Sequence, residues 1–250
     1  MQTDIREYFL RFDISQRIQH FILFISFTIC GITGLPQRFY SIEFCQDWIN
    51  LLGGGGNVRT IHHVAAATLL VIGIYHLLEI VFRAAVLRKG SIAMIPTPHD
   101  AITVAQNFKC FLGMRSEPPE FDRYNYMEKM EYLSVIWGIL VMAVTGLMLW
   151  FPEATSHIFP GQALPVATVI HGWEAILAGL YVAIVHMYFA HIRPEAFPMD
   201  PMMFDGRISP HHFAEEHSRE FERVIGKTSS HDDKPTNKHN DSKESNPKKK

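Results

Sequence analysis

The sequence predicts an all-α integral membrane protein, built as a bundle of four transmembrane helices. Four apolar blocks, at about residues 18–36, 59–82, 130–151 and 165–191, are each long enough to cross a bilayer as one helix. The remainder of the chain is polar, and eleven Lys or Arg lie after the fourth block. The overall figures of 48% hydrophobic residues and a net charge of −2 therefore average two different regimes.

The membrane domain is expected to cover residues 18–192, after a polar arm at 1–17. Its first block holds no charged residue and leads to the second through a loop that ends in four glycines. In the longest connection, between the second and third blocks, residues 101–112 are expected to form a short amphipathic helix on the membrane. Residues 193–226 are expected to be an extension with a short surface helix, and residues 227–250 a disordered polar tail.

Basic residues set the expected orientation of the spans. Three Lys or Arg precede the first span, and seven lie between the second and the third. The loop between the first and second spans holds only Arg38 before the boundary residue Arg59, and the loop between the third and fourth holds none. Since Lys and Arg concentrate on the cytoplasmic side, both termini and the middle connection are predicted to be cytoplasmic.

Histidines within the spans indicate a function, because ionisable groups in a bilayer are costly and rare. His171 and His186 lie on one span, about 22 Å apart along its axis and within about 60° of one face. Sorted by depth, the outer histidines are His62, His63 and His171, and the inner ones are His20, His76 and His186. Each level thus offers a pair from two helices, which is the pattern of two stacked haems with two axial ligands each.

Simpler interpretations of these residues stay open at this point. A single buried histidine more often hydrogen-bonds a neighbouring helix, although a matched set is harder to explain in that way. Arg17 and Arg59 each precede a histidine by three residues and share a helix face with it, so each is a candidate partner for a haem propionate. The alternative is that both are ordinary arginines at span ends. Three widely spaced cysteines give no motif for covalent haem.

Several motifs, in order along the chain, are similar to those of a known family. They are Arg17-Ile-Gln-His20, Arg59-Thr-Ile-His62, Arg123-Tyr-Asn125 with Lys129, Val144-Thr-Gly146 and Val185-His186-Met-Tyr188. On these motifs, residues 14–225 resemble the cytochrome b (gamma) subunit of membrane-bound formate dehydrogenases, a relative of the cytochrome b of nickel–iron hydrogenases. The resemblance implies a four-helix bundle with two b haems in the bacterial cytoplasmic membrane.

The resemblance also implies ligands and partners. It pairs His62 with His171 on the outer haem, and His20 with His186 on the inner one. It implies a periplasmic iron–sulfur subunit as partner and, through it, a catalytic subunit. Lipid and a quinone are further partners, no nucleic acid is implied, and the oligomeric state of the complex is left open.

The resemblance places Asn125 at a menaquinone or ubiquinone site, with Lys129 as a further residue that contacts a haem propionate or the quinone. The glycine that the family has two residues after Asn125 is Met127 here, so the chain departs from the family pattern at the expected quinone pocket.

Two further departures concern the ligand histidines. The separation of His171 and His186 is one residue longer than the family pattern, and a π-bulge near Gly179 would absorb the extra residue. His76 is additional, and with fourteen residues between them His62 and His76 share a face within about 40°. That spacing is similar to the cytochrome b of quinol–cytochrome c reductases, so His76 is an alternative to His20, as His63 is to His62.

The predicted function is that of an electron-transfer subunit, whose direction of electron flow and whose partner's substrate the sequence does not reveal. Glu79 is a candidate for proton uptake or an ordinary interface residue. Glu174, three residues past His171, is a second candidate buried acid that would contact the outer haem edge or an adjacent helix. One alternative is a haem-free membrane anchor or transporter that uses such residues as a proton relay, although no internal repeat of the kind common in transporters is evident. Another is a b561-type protein or ferric reductase that acts alone.

Overall fold

The computed structural model describes residues 8–86, 94–114, 119–194 and 196–232. In chain order, the elements are β1 (Phe9–Leu10), α1 (Ile14–Arg38), α2 (Glu43–Leu51), α3 (Gly55–Ala85), α4 (Pro98–Phe111), α5 (Tyr126–Trp150), α6 (Pro152–Ile158), α7 (Ala163–Tyr181), two π-helical turns (Val182–His186 and Tyr188–Ile192), α8 (Met202–Asp205), β2 (Arg207–Ile208), α9 (Pro210–Glu216) and α10 (Ser218–Asp232).

Four of these helices are long and apolar enough to cross a membrane: α1, α3, α5, and α7 with its π-helical turns. This confirms the predicted four-helix membrane bundle. Helices α1 and α5 begin before their apolar blocks because polar capping residues precede the blocks. Asp13 accepts a hydrogen bond from the Gln16 backbone at the start of α1, and Asn125 accepts one from the Glu128 backbone at the start of α5.

The bundle turns its large apolar side chains outward and its small and polar ones inward. Gln19, Ser26 and Thr33 are buried at seven-residue intervals along α1, and Thr145 and Gly172 are buried on α5 and α7. Between membrane helices, small residues allow close approach and polar side chains bond across the interface, while lipid covers the apolar surface. The buried seam is therefore where functional groups meet.

The four spans associate as two hairpins. The first hairpin is α1 with α3, and the second is α5 with α7; each pair packs closely along its length. Contacts between the hairpins are fewer and run mainly from α1 to α7 and from α3 to α5. A group that binds residues of both hairpins would therefore hold the bundle together.

The polar cap, by which we mean residues 196–226 together with β1, folds over one end of the bundle. Strand β1 pairs antiparallel with β2, with Phe9 opposite Ile208. The Phe9 ring lies 5.2 Å from that of buried Phe213. Where a short surface helix was expected, two helices, α9 and α10, meet at His217, and α10 continues to Asp232, into the segment expected to be disordered. The expected tail from 233 onward lies outside the described residues.

A buried arginine holds the polar cap to the membrane helices. Arg11 is 5% exposed and forms ion pairs with Glu128 of α5 at 3.3 Å and with Glu220 of α10 at 3.2 Å. It also lies 3.0 Å from Nε2 of His217, whose Nδ1 lies 2.8 Å from the Asp122 carbonyl. Burial, reinforced by the adjacent guanidinium, lowers the pKa of His217 to about 4. His217 is therefore neutral, with Nδ1–H as the donor.

Helix α4 is close to the amphipathic helix expected at residues 101–112. It starts at a Thr97–Asp100 capping box, and its last residues, Phe108 and Phe111, are well exposed. The Lys129 ammonium reaches both carboxylate oxygens of Asp100, at 2.8 and 2.9 Å, and so holds α4 against the start of α5.

Candidate metal sites between the two hairpins

The outer histidine pair joins the two hairpins. His62 of α3 and His171 of α7 have ring centroids 6.4 Å apart and ring planes inclined at 73°. Metal–imidazole bonds are about 2.0–2.1 Å long, and bonds of about 1.33 Å give a five-membered ring a radius of about 1.1 Å. One metal atom between two imidazoles would thus separate their centroids by about 6.2–6.4 Å. The pair has the spacing of two axial ligands on one metal.

Each ring of this pair is held by a threonine on the other helix of its own hairpin. Thr33 Oγ1 lies 3.0 Å from His62 Nδ1, and Thr145 Oγ1 lies 2.9 Å from His171 Nδ1. Both hydroxyls donate their single proton to the carbonyl four residues earlier, at 2.6 and 2.7 Å. Each threonine oxygen can therefore only accept from Nδ1–H, which leaves Nε2 with its lone pair available to a metal.

A glycine follows each of these threonines and lets the ring approach the helix. A Cβ at Gly34 would lie 3.0 Å from His62 Cε1, and one at Gly146 would lie 3.2 Å from His171 Cε1. We call each Thr–Gly pair, 33–34 and 145–146, a threonine–glycine pocket. The sequence shows the two pairs, but nothing in it shows that both face a histidine.

The inner pair joins the hairpins in the same way, with different surroundings. His20 of α1 and His186 of the first π-helical turn have centroids 6.2 Å apart and planes inclined at 47°. His186 Nδ1 faces Glu131 Oε2 of α5 at 3.4 Å. Neither ring nitrogen of His20 hydrogen-bonds to any residue that the structure describes. A third histidine, His191, lies one π-helical turn beyond His186, and its Nδ1 is buried without a partner among the described residues.

His76 and His63 are engaged elsewhere. His76 Nδ1 lies 2.8 Å from Gln19 Oε1, and its Nε2 lies 3.0 Å from the Tyr132 hydroxyl, so both ring nitrogens already have partners. The His63 ring stacks on Trp150, with centroids 4.1 Å apart and planes at 19°. The geometry therefore favours His20 over His76 at the inner level and His62 over His63 at the outer level.

The fourth span contains the π-helical turn that was predicted from the extra residue, but further along the chain than expected. The first π-helical turn is Val182–His186, three residues beyond Gly179. A π-helical turn takes up one more residue than an α-helical turn. Fifteen residues between His171 and His186 therefore act like fourteen in a regular helix, which brings the two within about 40° of one face.

Glu79 belongs to a polar network between α1 and α3. Its carboxylate accepts from Ser15 at 3.1 Å, from Gln19 at 2.5 Å and from Arg83 Nε at 2.8 Å, and Arg83 also pairs with Asp13 at 2.7 Å. These bonds fix the first hairpin near the inner pair. The acid that was a candidate for proton uptake is thus already paired within the hairpin.

The arginines near the pairs differ in their surroundings. Arg17 donates to the Phe204 carbonyl of the polar cap at 2.5 Å, and its buried Nε has no partner among the described residues. Arg59 is exposed at the start of α3. Arg38 crosses Gly172, next to His171, with Nε 2.8 Å from where a Cβ would lie. The sequence interpretation counted Arg38 only as a loop charge; its place at the end of the first span was the available signal.

Asn125 and Lys129, the residues expected at a haem or quinone, both have structural partners. The Asn125 side-chain oxygen accepts from the Glu128 backbone at 2.9 Å, which leaves its amide NH₂ to bind a ligand. The Lys129 ammonium is committed to Asp100. Their roles in binding stay predictions.

The histidine pairs are suited to a metal that brings most of its own ligands. Among the residues described, no group of three or more His, Cys, Asp or Glu is arranged to hold a metal ion. Two facing imidazoles with available Nε2 atoms suit the axial positions of haem iron. The donor set and the ring spacing therefore fit haem.

A four-helix membrane bundle with facing histidines between its hairpins is an architecture typical of membrane cytochromes. The chain belongs to the prokaryotic cytochrome b561 family, whose sequence profile matches residues 11–202. The family implies haem b binding, and with the four apolar helices it identifies an integral membrane protein of the bacterial inner membrane.

Curated relatives agree with the resemblance seen in the sequence. The cytochrome b556(Fdn) subunit of the nitrate-inducible formate dehydrogenase of Escherichia coli K12 is 27% identical over 96 residues, which is 38% of this chain and 43% of that protein. The cytochrome b556(fdo) subunit of formate dehydrogenase from the same organism is 22% identical over 188 residues, 74% of this chain and 80% of that protein. The predicted similarity to formate dehydrogenase cytochrome b subunits is confirmed.

Proposed function

We propose that this protein is a di-haem cytochrome b subunit that anchors a respiratory oxidoreductase in the membrane. It passes electrons between a periplasmic iron–sulfur partner and the quinone pool. The observation that carries the proposal is that two histidine pairs, 6.4 and 6.2 Å between ring centroids, occur at two depths of one bundle. Haem bound at each pair supplies one-electron transfer.

The chain's own residues hold and separate the two sites. His62 and His171 hold the outer site, and His20 and His186 hold the inner site. Span four carries one ligand of each and so sets the distance between the sites, about 22 Å along its axis. Arg38, which crosses Gly172, is placed to neutralise a propionate at the outer site, with Arg59 as the alternative, and Arg17 has the corresponding role at the inner site.

The quinone would bind on the side of the inner pair, near the start of α5. The amide NH₂ of Asn125, which has no partner among the described residues, is available to donate to a quinone carbonyl. Beside it, α4 and α5 enclose an open groove of about 270 Å³. Its walls are Val104, Asn107, Phe108, Phe111 and Tyr126. Such apolar and aromatic walls with few polar groups suit a quinone ring. Lys129 holds Asp100, and with it α4, beside this groove.

The relatives and the predicted topology support a proposal for the partner and for the direction of electron flow. With both termini cytoplasmic, the loops 38–58 and 152–164 face the periplasm, where an iron–sulfur subunit would dock. The relatives named above belong to formate dehydrogenases, so formate is the first substrate to test for the whole complex. In that complex electrons would run inward, and quinone reduction would consume two electrons together with two protons from the cytoplasm. A quinol-oxidising cytochrome with outward flow is the second candidate.

The proposal is tested first by the haem content of the detergent-purified chain. A dithionite-reduced minus oxidised spectrum with a pyridine haemochrome count should show two b haems per chain. One haem would contradict the two-site reading. A folded protein without haem would contradict the electron-transfer role altogether and favour a proton-relaying anchor.

Ligand variants test the assignment of each site. His62→Ala and His171→Ala should each remove the outer haem and leave the inner one. His20→Ala should remove the inner haem, whereas His76→Ala should keep both, because His76 already bonds Gln19 and Tyr132. Loss of the inner haem in His76→Ala alone would overturn the choice of His20.

The quinone site has its own test. Asn125→Asp keeps an acceptor for the Glu128 backbone but removes the amide donor, so it should slow quinone reduction with both haems retained. Ser209→Asp, a cap exchange at the start of α9, is the matched control. Unchanged quinone kinetics in Asn125→Asp would exclude this role.

A further inference from the structure

The two histidine pairs differ in what supports their non-ligating nitrogens. At the outer level both Nδ1 atoms face neutral threonine hydroxyls, at 3.0 and 2.9 Å. At the inner level, His186 Nδ1 faces the carboxylate of Glu131 at 3.4 Å. The two levels therefore offer their metals ligands of different basicity.

Helix α5 provides both kinds of support from one face. Glu131 and Thr145 are fourteen residues apart on α5, so they lie within about 40° of the same face. His171 and His186 are arranged in the same way on the adjacent helix, one opposite each. The Glu131 side chain is only 20% exposed, and its Oε1 is buried without a partner among the described residues. A carboxylate placed within an apolar span is costly, and its contact with His186 gives it a role.

We propose that Glu131 is a positioning residue that orients His186 and lowers the reduction potential of the inner haem relative to the outer one. A carboxylate on the far nitrogen raises the basicity of a ligating imidazole. A more basic axial ligand stabilises the oxidised iron, and hydrogen bonding around the ligands is one of the levers that set haem potentials. A hydroxyl carries no net charge and has a smaller effect.

This asymmetry bears on the direction of electron flow and rests on the two-haem function proposed above. Considered alone, it makes transfer from the inner to the outer haem the downhill step. Inward flow then needs a donor whose potential lies below that of both haems. A low-potential partner on the outer side meets that condition. In outward flow from quinol, the step between the two haems would itself be downhill.

The test is a spectroelectrochemical titration of the full-length haem-loaded protein. His62→Ala and His20→Ala identify which midpoint belongs to the inner and which to the outer haem. Glu131→Gln keeps the size and removes the charge, and should shift the inner oxidised-to-reduced ratio at fixed potential by about tenfold, or about 59 mV upward. The outer midpoint should not move. The control is Glu174→Gln, which removes a carboxylate on the fourth span and should leave the midpoint potential of the inner haem unchanged.

The outcomes separate this inference from the function on which it rests. Fewer than two haems in the unaltered protein would overturn both. Two haems with an inner midpoint that Glu131→Gln does not raise would overturn the role of Glu131 alone. If Glu131→Gln loses the inner haem, the order of the two midpoint potentials in the unaltered protein tests the inference instead. An inner haem at the lower potential supports the inference, and the reverse order overturns it.

Discussion

Thr33 and Thr145 occupy matching positions on α1 and α5, each one residue before a glycine. In each pocket the hydroxyl selects the tautomer of the facing histidine, and the absent Cβ admits the ring. Partners of this kind typically change metal affinity by about 10–100-fold when they are removed. At the scale of single residues, we expect these contacts to determine whether a histidine at a suitable depth can also bind haem iron.

Gly34→Ala should displace His62 and weaken the outer haem. The new Cβ would lie 3.0 Å from His62 Cε1, which is closer than ordinary van der Waals contact. Gly31→Ala is the matched control, since a Cβ at Gly31 has nothing within 4 Å and gains the same helix propensity of about 1 kcal/mol. Haem content and the reduced spectrum should change only in Gly34→Ala, and equal spectra would contradict the pocket.

Thr145→Val keeps the shape of the side chain and removes the acceptor for His171 Nδ1–H. An unpaired buried donor costs about 1–3 kcal/mol, so outer haem affinity should fall about 10–100-fold while the inner haem is retained. Thr168→Val removes a hydroxyl that bonds the carbonyl four residues earlier on an exposed face of α7 and serves as control. Haem titration of the apoprotein measures both, and equal affinities would show that the hydroxyl does not support His171.

At the scale of elements, the fourth span combines regular and π-helical geometry. Its α-helical part carries His171, and its first π-helical turn ends at His186. The π-helical turn compensates the additional residue between them, so the two rings reach partners on α3 and α1. Such turns are frequent at functional sites, where they re-aim a side chain without ending the helix.

Deletion of Ala183 should convert the first π-helical turn to a regular α-helix and preserve both haems. His171 and His186 would then be fourteen residues apart and within about 40° of one face. Insertion of a second alanine after Ala183 should instead rotate His186 by about 100° and remove the inner haem. The haemochrome count measures both variants. Retention of two haems after the insertion would show that the turn does not set the aim of His186.

At the scale of the whole molecule, each proposed haem site would take one histidine from each hairpin. The threonines and Glu131 come from within the same hairpin as the histidine they contact. Each hairpin would therefore orient its own ligands, and a bound haem would join the hairpins. Since direct contacts between the hairpins are comparatively few, we expect loss of both haems to loosen their association more than their internal structure.

The polar cap should loosen as the pH falls. His217 is neutral in the folded protein because burial lowers its pKa to about 4 from the ordinary 6.5, and the guanidinium groups of Arg11, Arg193 and Arg123 further oppose its protonation. The unfolded cap takes up a proton at higher pH than the folded cap. The stability that neutral His217 contributes is thus complete above pH 6.5 and is lost towards pH 4, by about 3 kcal/mol.

Hydrogen exchange of amides in residues 196–226 measures this effect. Protection should fall between pH 6.5 and 5, after correction for intrinsic exchange rates. His217→Gln retains a donor for the Asp122 carbonyl and an acceptor for Arg11, and its protection should depend less on pH. His211→Gln, at an exposed position, should behave like the unaltered protein. A pH dependence that is the same in His217→Gln would contradict the role of His217.

Hydropathy, charge and histidine spacing predicted much of the fold and the depth of each candidate ligand. Runs of apolar residues longer than a bilayer identify the four spans, and their motifs identify the family; both predictions are confirmed. Position along a helix is proportional to residue number, so the same arithmetic sorted His20, His62, His171 and His186 by depth. The ligand roles, the orientation in the membrane and the quinone site stay predictions.

The rotation of each helix about its own axis decides which way its side chains face. Packing between helices sets this rotation, and the sequence alone did not predict it. Gln19 and His20 lie at nearly one depth on α1 but about 100° apart, and His76 lies at that depth too. Small and polar residues along α1 turn Gln19 towards α3, where it bonds His76, and leave His20 facing His186. The same packing brings Thr33 to His62 and Glu131 to His186. The depth of a residue in the membrane depends on the geometry of its own helix. The direction that its side chain faces depends on which surfaces of two helices fit together.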